Sequence, residues 1–174
     1  KTGVNHALGK NLIGAFHQPK LVFVDTDTLR SLPRGELVAG MAEVVKHGII
    51  RDAELFSFLE DHIEEITDMS VGADALDWLI AQNAGIKGAV VSADEKEGGL
   101  RAILNYGHTI GHAIEAATNY TRYRHGEAVI LGALAVSEIA AQHGTLPADV
   151  RTRHDALWKR LGVPQGLASV EAEA

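Results

Sequence analysis

Cysteine is absent from the 174 residues, which excludes disulfide frameworks, thiolate metal sites and thiol nucleophiles at once. Long hydrophobic runs are missing too. The longest uncharged apolar stretch, Ala128 to Val136, is far shorter than the ~20 residues that span a bilayer. The opening Lys1-Thr2-Gly3-Val4-Asn5-His6 has no apolar segment of the kind a secretory leader needs. Basic charge is in the minority: 16 Lys+Arg against 23 Asp+Glu leave a formal charge of −7. Sequence-independent binding to nucleic acid or an anionic membrane needs a basic face, so both are disfavoured. There is no Walker-type loop, no G-x-G-x-x-G, no internal repeat and no low-complexity tract. What is present is globular. Hydrophobic residues make up 46% and charged residues 22%, and the length suits one domain, or one domain with a piece of a second. A soluble cytoplasmic protein is the reading. Nine histidines are many for this size and point first to chemistry.

The first thirty-odd residues are rich in Gly and Asn and hold one β-branched run, Leu21-Val22-Phe23-Val24, which predicts a strand ending at Asp25. After Leu32-Pro33 the pattern turns helical, so a domain boundary is expected there, dividing a β-containing segment 1–33 from a helical segment 34–174. Leu37, Met41, Val44, Val45 and Gly48 mark one helix. Asp52 caps a second, in which Leu55, Leu59, Ile63 and Ile66 recur at helical spacing. A third is predicted over about 73–91, a fourth from near Gly107, and a fifth over Glu127 to Gln142. The fifth is small or apolar nearly all round, the pattern of a helix buried within a bundle. The last starts at Pro147 and ends at Leu161-Gly162-Val163-Pro164, a glycine C-cap with proline beyond. Asp94-Glu95-Lys96-Glu97-Gly98-Gly99 reads as a solvated loop. Both ends look cut, at a glycine-rich motif beginning with Lys1 and at Glu171-Ala172-Glu173-Ala174, so a fragment of a larger protein is expected.

The densest chemistry lies in Arg101 to Glu115. His108 and His112 are spaced i,i+4, so on a helix both imidazoles share one face and can converge on one ion. Thr109 follows His108, so the metalloprotease pattern with its glutamate base is not present. The bland alternative is two histidines lining a helix interface. A third ligand would be needed, and His125 and Glu43 both offer one. Glu43 lies in an apolar and small-residue stretch, where an acid is costly unless paired or bound to a cation; a simple i,i+3 ion pair with Lys46 competes with the ligand reading. Lys1, Lys10, Lys46, Lys87 and Arg101 each sit beside glycine or small residues rather than in charge runs. A lone lysine such as Lys87 is ordinarily a snorkelling surface residue, but five such cations in an acidic chain favour an anionic substrate.

Several motifs then resemble, in order, the 3-dehydroquinate synthases: Lys1-Thr-Gly-Val-Asn-His, Leu8-Gly-Lys10-Asn11, Asp25-Thr-Asp-Thr-Leu-Arg-Ser-Leu-Pro33, Gly40-Met-Ala-Glu43-Val-Val-Lys46, Leu100 to Glu115, and His125-Gly126-Glu127-Ala128-Val129. The resemblance implies a mainly α, helical metal-binding C-terminal domain of an α/β + α enzyme, preceded by a short tail of its nucleotide-binding domain. It implies a lyase of the shikimate route to chorismate and aromatic amino acids. Such an enzyme converts 3-deoxy-D-arabino-heptulosonate 7-phosphate to 3-dehydroquinate and phosphate, with NAD and a divalent ion, zinc or cobalt. By this resemblance Glu43, His108 and His125 are the metal ligands, and His112 becomes a substrate or proton-transfer residue instead of His108's partner. Asn11, Lys46, Lys87, Arg101, Asn105 and His112 would hold the substrate, with His112, Lys46 and Asn105 catalytic. Lys1, Lys10 and Thr28-Leu29-Arg30-Ser31 would approach NAD. A homodimer is the expected assembly.

The family's glycine-rich nucleotide loop and a further C-terminal basic motif have no counterpart in these residues, so this chain alone is expected to be inactive. The nearest rival is another sugar-phosphate cyclase, of the valiolone or deoxy-inosose synthase type; Arg101 and Asn105 look more like the dehydroquinate synthases. Metal-dependent alcohol and glycerol dehydrogenases are more distant rivals with net redox turnover. A non-catalytic helical module is the alternative from a different class.

Overall fold

Aspartate and glycine punctuate the helical sequence into separate rods. In the computed structural model, which describes residues 2–7, 9–15, 17–96 and 98–162, Asp52 ends helix α1 (Arg34–Arg51) and starts α2 (Ala53–Thr67). Its carboxylate accepts from the Glu54 and Leu55 N–H groups at 3.0 Å each; such a cap contributes about 1 kcal/mol. Helix α3 (Ala73–Ala93) follows, then α4 (His108–Ala117), α5 (His125–Gln142) and α6 (Ala148–Arg160). Two 3-10 segments, Thr26–Ser31 and Leu100–Asn105, lead into α1 and α4.

The periodic apolar residues face inward. Leu55, Leu59, Ile63 and Ile66 of α2 are fully buried with Val45 of α1, Leu79 of α3 and Leu157 and Trp158 of α6. Helix α5 buries Ala128, Val129, Ile130, Leu131 and Ala133, as its all-round apolar pattern requires. Side-by-side placement of α5 with α1 and α4 depends on glycine. A Cβ at Gly126 would stand 2.0 Å from the Ala39 carbonyl oxygen, and one at Gly132 would stand 2.0 Å from that of Gly107. Gly107 itself adopts φ 78°, the left-handed conformation that favours glycine, and turns the chain into α4. Arg153 and Arg160 of α6 pair with Glu60 and Glu64 of α2 across the outer surface. Among the described residues no helix is long and apolar enough to cross a membrane.

The N-terminal segment departs from expectation. The strands are β1 (Thr2–His6) and β2 (Gly9–Ala15), an antiparallel pair with Val4 opposite Ile13 and an irregularity between Val4 and His6. Leu21–Val24, predicted as a strand, is not one: it has no neighbouring strand among the described residues, and its side chains are 52–85% exposed. β propensity makes a strand only where a ladder partner exists. Three helix boundaries also move: α3 continues to Ala93, α5 begins at His125 instead of Glu127, and Pro147 is the N-cap of α6 rather than its first residue. Gly162 has φ 84°, as a glycine C-cap requires; Val163 and Pro164 lie outside the described residues. Residues 94–96, 98 and 99 form the expected loop and are mostly exposed. Asp94 accepts from the N–H groups of Gly98, Gly99 and Arg101 at 2.7, 2.8 and 3.0 Å.

Candidate metal and substrate site

Three helices each bring one ligand-type side chain to a common point. Glu43 comes from the middle of α1, His108 from the first position of α4 and His125 from the first position of α5. Glu43 Oε1 lies 3.3 Å from His108 Nε2 and 3.9 Å from His125 Nε2. All three donor atoms fall within 4.8 Å of one another. Ligands held about 2.0–2.1 Å from a tetrahedral zinc stand roughly 3.3 Å apart, so the donor set needs little adjustment to hold such an ion.

Proton positions in the cluster favour the same use. His108 Nδ1 lies 3.2 Å from the Tyr106 carbonyl, an acceptor only, so Nδ1 carries a proton and Nε2 is the nitrogen turned toward Glu43. His125 Nδ1 lies 3.1 Å from Glu115 Oε2. Burial alone would raise the Glu43 carboxyl, but hydrogen bonds from His108 and Lys46, with the Lys46 charge, outweigh it and hold the group at about 2. Glu43 is therefore an anion at neutral pH. Two imidazoles and one carboxylate suit zinc or a related borderline divalent ion.

Cations surround this point. Glu43, Lys46, His47, Lys87, Arg101, Leu104, Asn105, His108 and His125 line one cavity of about 500 Å³. Lys46 is buried and donates to Glu43 Oε2 at 2.5 Å and to the Leu104 carbonyl at 2.6 Å. The second bond ties the 3-10 segment bearing Arg101 and Asn105 to α1. Burial pushes the Lys46 ammonium down, and Lys87 adds to this, while Glu43 opposes it. His47 is likewise pushed down by burial and contacts Asn83 Oδ1. Arg101 is steadied by the Glu95 carbonyl at 3.0 Å. Three cations against one carboxylate make the cavity a place for an anion in an otherwise acidic chain.

The residues singled out from sequence divide accordingly. Glu43, Lys46, Lys87, Arg101, Asn105, His108 and His125 come together in this cavity. The competing Glu43–Lys46 ion pair also exists, and uses the carboxylate oxygen that does not face the histidines. His112 is exposed, its ring 5.4 Å from that of His108 and 5.6 Å from that of His125. The i,i+4 pairing of His108 with His112 is not what converges. Among the described residues the two possible ligand groups are Glu43–His108–His125 and His112–Glu115–His125, and neither contains both. Thr28, Leu29, Arg30 and Ser31 lie on the first 3-10 segment, outside this cavity; Thr28 and Ser31 bond the Asp25 and Thr28 carbonyls, and Arg30 pairs with Asp27. Lys1 is outside the described residues, and Lys10 and Asn11 lie on β2 with their side chains outside them. Sequence reading missed Glu115 and Tyr106 as partners of the histidines. Their signal, an acid and a carbonyl opposite imidazole Nδ1 atoms, exists only in three dimensions.

Comparison with known proteins identifies the family. A family model described as 3-dehydroquinate synthase C-terminal matches residues 40–174, and one described as 3-dehydroquinate synthase N-terminal matches residues 1–39. The chain belongs to the 3-dehydroquinate synthase family. The two matches meet within α1, whereas composition shifts just before that helix. A 3-dehydroquinate synthase of Nostoc punctiforme is 51% identical over all of this chain, which covers 48% of that protein. One of a Synechococcus is 49% identical, again over all of this chain and 47% of its own length. The chain thus spans about half the length of the curated relatives it matches. Among solved structures, a 2-epi-5-epi-valiolone synthase from Streptomyces hygroscopicus with NAD+ and Zn2+ bound matches 94% of this chain and 45% of its own, at TM-score 0.84 and 28% identity. A 2-deoxy-scyllo-inosose synthase complexed with carbaglucose-6-phosphate, NAD+ and Co2+ matches 95% of this chain and 44% of its own, at TM-score 0.81 and 33% identity. The fold is that of the helical part of sugar-phosphate cyclases.

Proposed function

We propose that this chain is the metal- and substrate-binding part of a 3-dehydroquinate synthase, a lyase that takes 3-deoxy-D-arabino-heptulosonate 7-phosphate to 3-dehydroquinate and phosphate. The observation that carries this reading is the convergence of Glu43, His108 and His125 in a cavity that also holds Lys46, Lys87, Arg101 and Asn105. A ligand set and an anion-binding set share one space, as a phosphorylated sugar acid requires. When bound, NAD supplies reversible hydride transfer and a divalent zinc or cobalt ion supplies Lewis acidity toward a hydroxyl and a ketone. Glu43, His108 and His125 would hold the ion. Arg101 and Lys87 would take the substrate's carboxylate and phosphate, the guanidinium through its planar fork. Asn105 would bond a hydroxyl. Lys46, pinned between Glu43 and the Leu104 carbonyl, would donate from the cavity wall. His112, exposed beside the two ligand rings, would move a proton without coordinating. Lys1, Lys10, Asn11 and residues 28–31 would complete the NAD and substrate contacts. Most of the chain's work is then positioning and polarising.

A second reading, another sugar-phosphate cyclase, is favoured by the two structural neighbours named above. Arg101 and Asn105 weigh against it, because a substrate lacking the carboxylate has less use for the guanidinium. The test uses the full-length enzyme with NAD and Zn2+ or Co2+. Phosphate release from the heptulosonate phosphate, with none from sedoheptulose 7-phosphate, is the outcome expected. The reverse preference would assign the chain to the second reading, and net NADH accumulation would remove both.

A further inference from the structure

We propose that Glu115 is a positioning residue for the metal centre, and that its carboxylate fixes the tautomer in which His125 offers Nε2 to the ion. The inference rests on Glu43, His108 and His125 being the ligand set. Glu115 lies on α4 with its side chain only 4% exposed, while His125 on α5 is 46% exposed. An acid that deep costs free energy unless its oxygens are engaged. Oε2 is engaged, 3.1 Å from His125 Nδ1. The opposite nitrogen of the same ring faces Glu43 Oε1. One imidazole therefore spans from a buried carboxylate to the ligand cluster.

The chemistry of that span is specific. Neutral imidazole carries one proton, on either nitrogen. Where Nδ1–H donates to a carboxylate, Nε2 is the nitrogen left with a lone pair for an ion. Remove the acceptor and a half-exposed ring is free to protonate Nε2 and to turn. His108 has the equivalent support from the Tyr106 carbonyl, a main-chain group that mutation cannot delete. Glu115 is thus where outer support can be removed by substitution. Glu115 also belongs to a second possible ligand group with His112 and His125. The Nδ1 contact argues for support over ligation, because that nitrogen faces Glu115 and not a shared point with Glu43.

The test is Co2+ binding to the chain, followed by visible absorption and by competition with a chelator, together with ¹⁵N–¹H correlation of the histidine rings in metal-free wild-type protein. Glu115→Met, which keeps the side chain's bulk and removes the acceptor, should weaken Co2+ binding about 10- to 100-fold with helical content unchanged. Glu115→Gln should recover part of the loss, since its amide oxygen can still accept from Nδ1–H. His125 in wild type should show the Nδ1–H tautomer. Wild-type affinity in a folded Glu115→Met, or an Nε2–H tautomer for His125 in wild type, would overturn the proposal; the second measurement decides even if the variant does not fold. Loss of Co2+ in His112→Ala equal to that in Glu115→Met would instead make Glu115 a ligand. Failure of wild type itself to bind Co2+ would refute the underlying site assignment, a different result from a variant that binds normally.

Discussion

Replacing Gly132 by alanine should destabilise the protein, while the same change at Gly85 should stabilise it. A Cβ at Gly132 would stand 2.0 Å from the Gly107 carbonyl oxygen and 2.8 Å from the Gly111 nitrogen. Both are backbone atoms, so no flexible side chain can move aside. To restore ordinary contact at 3.4 Å, α4 must retreat from α5 by about 1.4 Å, or α5 must bend. Overpacking of this kind costs about 1–3 kcal/mol, and more where main chain meets main chain. Alanine returns about 1 kcal/mol of helix propensity. The net loss at the upper end is about 2 kcal/mol, or roughly 4–8 °C in Tm for a chain of this size. At Gly85, exposed on α3, a Cβ would meet nothing within 4 Å. Only the propensity gain remains there, roughly +2–4 °C. Thermal unfolding followed by circular dichroism at 222 nm reads both variants. The retreat would also carry the Gly107 carbonyl and the adjoining His108, so Gly132→Ala should bind Co2+ more weakly as well. A Gly132→Ala variant that melts at or above the wild-type temperature would refute the reasoning, because the close approach would then not be holding the helices in place.

Acid should weaken the fold through His154. Burial pushes its pKa down although Asp155 opposes this, and Nε2 accepts from Trp158 Nε1 at 3.0 Å and faces the Tyr106 hydroxyl at 3.1 Å, so the ring is held neutral. The unfolded chain takes up this proton first. Stability is therefore full above the unfolded value of about 6.5 and falls as pH drops below it toward the folded value. Tm measured from pH 7.5 to 5 should fall less steeply in His154→Asn than in wild type; parallel curves would dismiss the idea. Lys87→Ala and Arg101→Lys, introduced in the full-length enzyme, should each lower kcat/KM about ten- to hundredfold at unchanged Tm, because a charge-assisted bond to an anion contributes about 1.5–3 kcal/mol and an ammonium cannot replace a guanidinium fork. Normal kinetics in both would leave them surface cations and misplace the substrate cavity.

Where one helix carries its own signal, the sequence could be read directly. The spacing of Leu55, Leu59, Ile63 and Ile66 predicts one buried stripe, and all four are fully buried. Asp52 is the cap its position suggests, and α5 is buried from Ala128 to Ala133 as its apolar pattern indicates, although Ile139 near its end is 49% exposed. Segments whose state depends on a distant partner were not legible. The β1–β2 pair is poor in β-branched residues, while the better strand former, Leu21–Val24, has no ladder partner among the described residues. The contacts of Gly126 with Ala39 and of Gly132 with Gly107 join residues far apart in the chain and leave no local trace.

The site shows the same division more sharply, and Glu43 shows why. Local spacing offers two pairings, Glu43 with Lys46 on α1 and His108 with His112 on α4. The first forms, and the second is only a shared face. What decides Glu43's role is that its two oxygens have different neighbours: Oε2 takes the buried Lys46 ammonium, and Oε1 is left facing His108 and His125 from two other helices. The lysine orients the carboxylate and, with His108, keeps it ionised without occupying the oxygen turned toward the histidines. An isolated i,i+3 ion pair and a ligand-bearing acid look alike in sequence. They part company only when α4 and α5, drawn close through Gly107, Gly111 and Gly132, deliver two imidazoles to the free oxygen. Family resemblance could group Glu43, His108 and His125 because it carries the outcome of that packing, whereas spacing within one helix cannot.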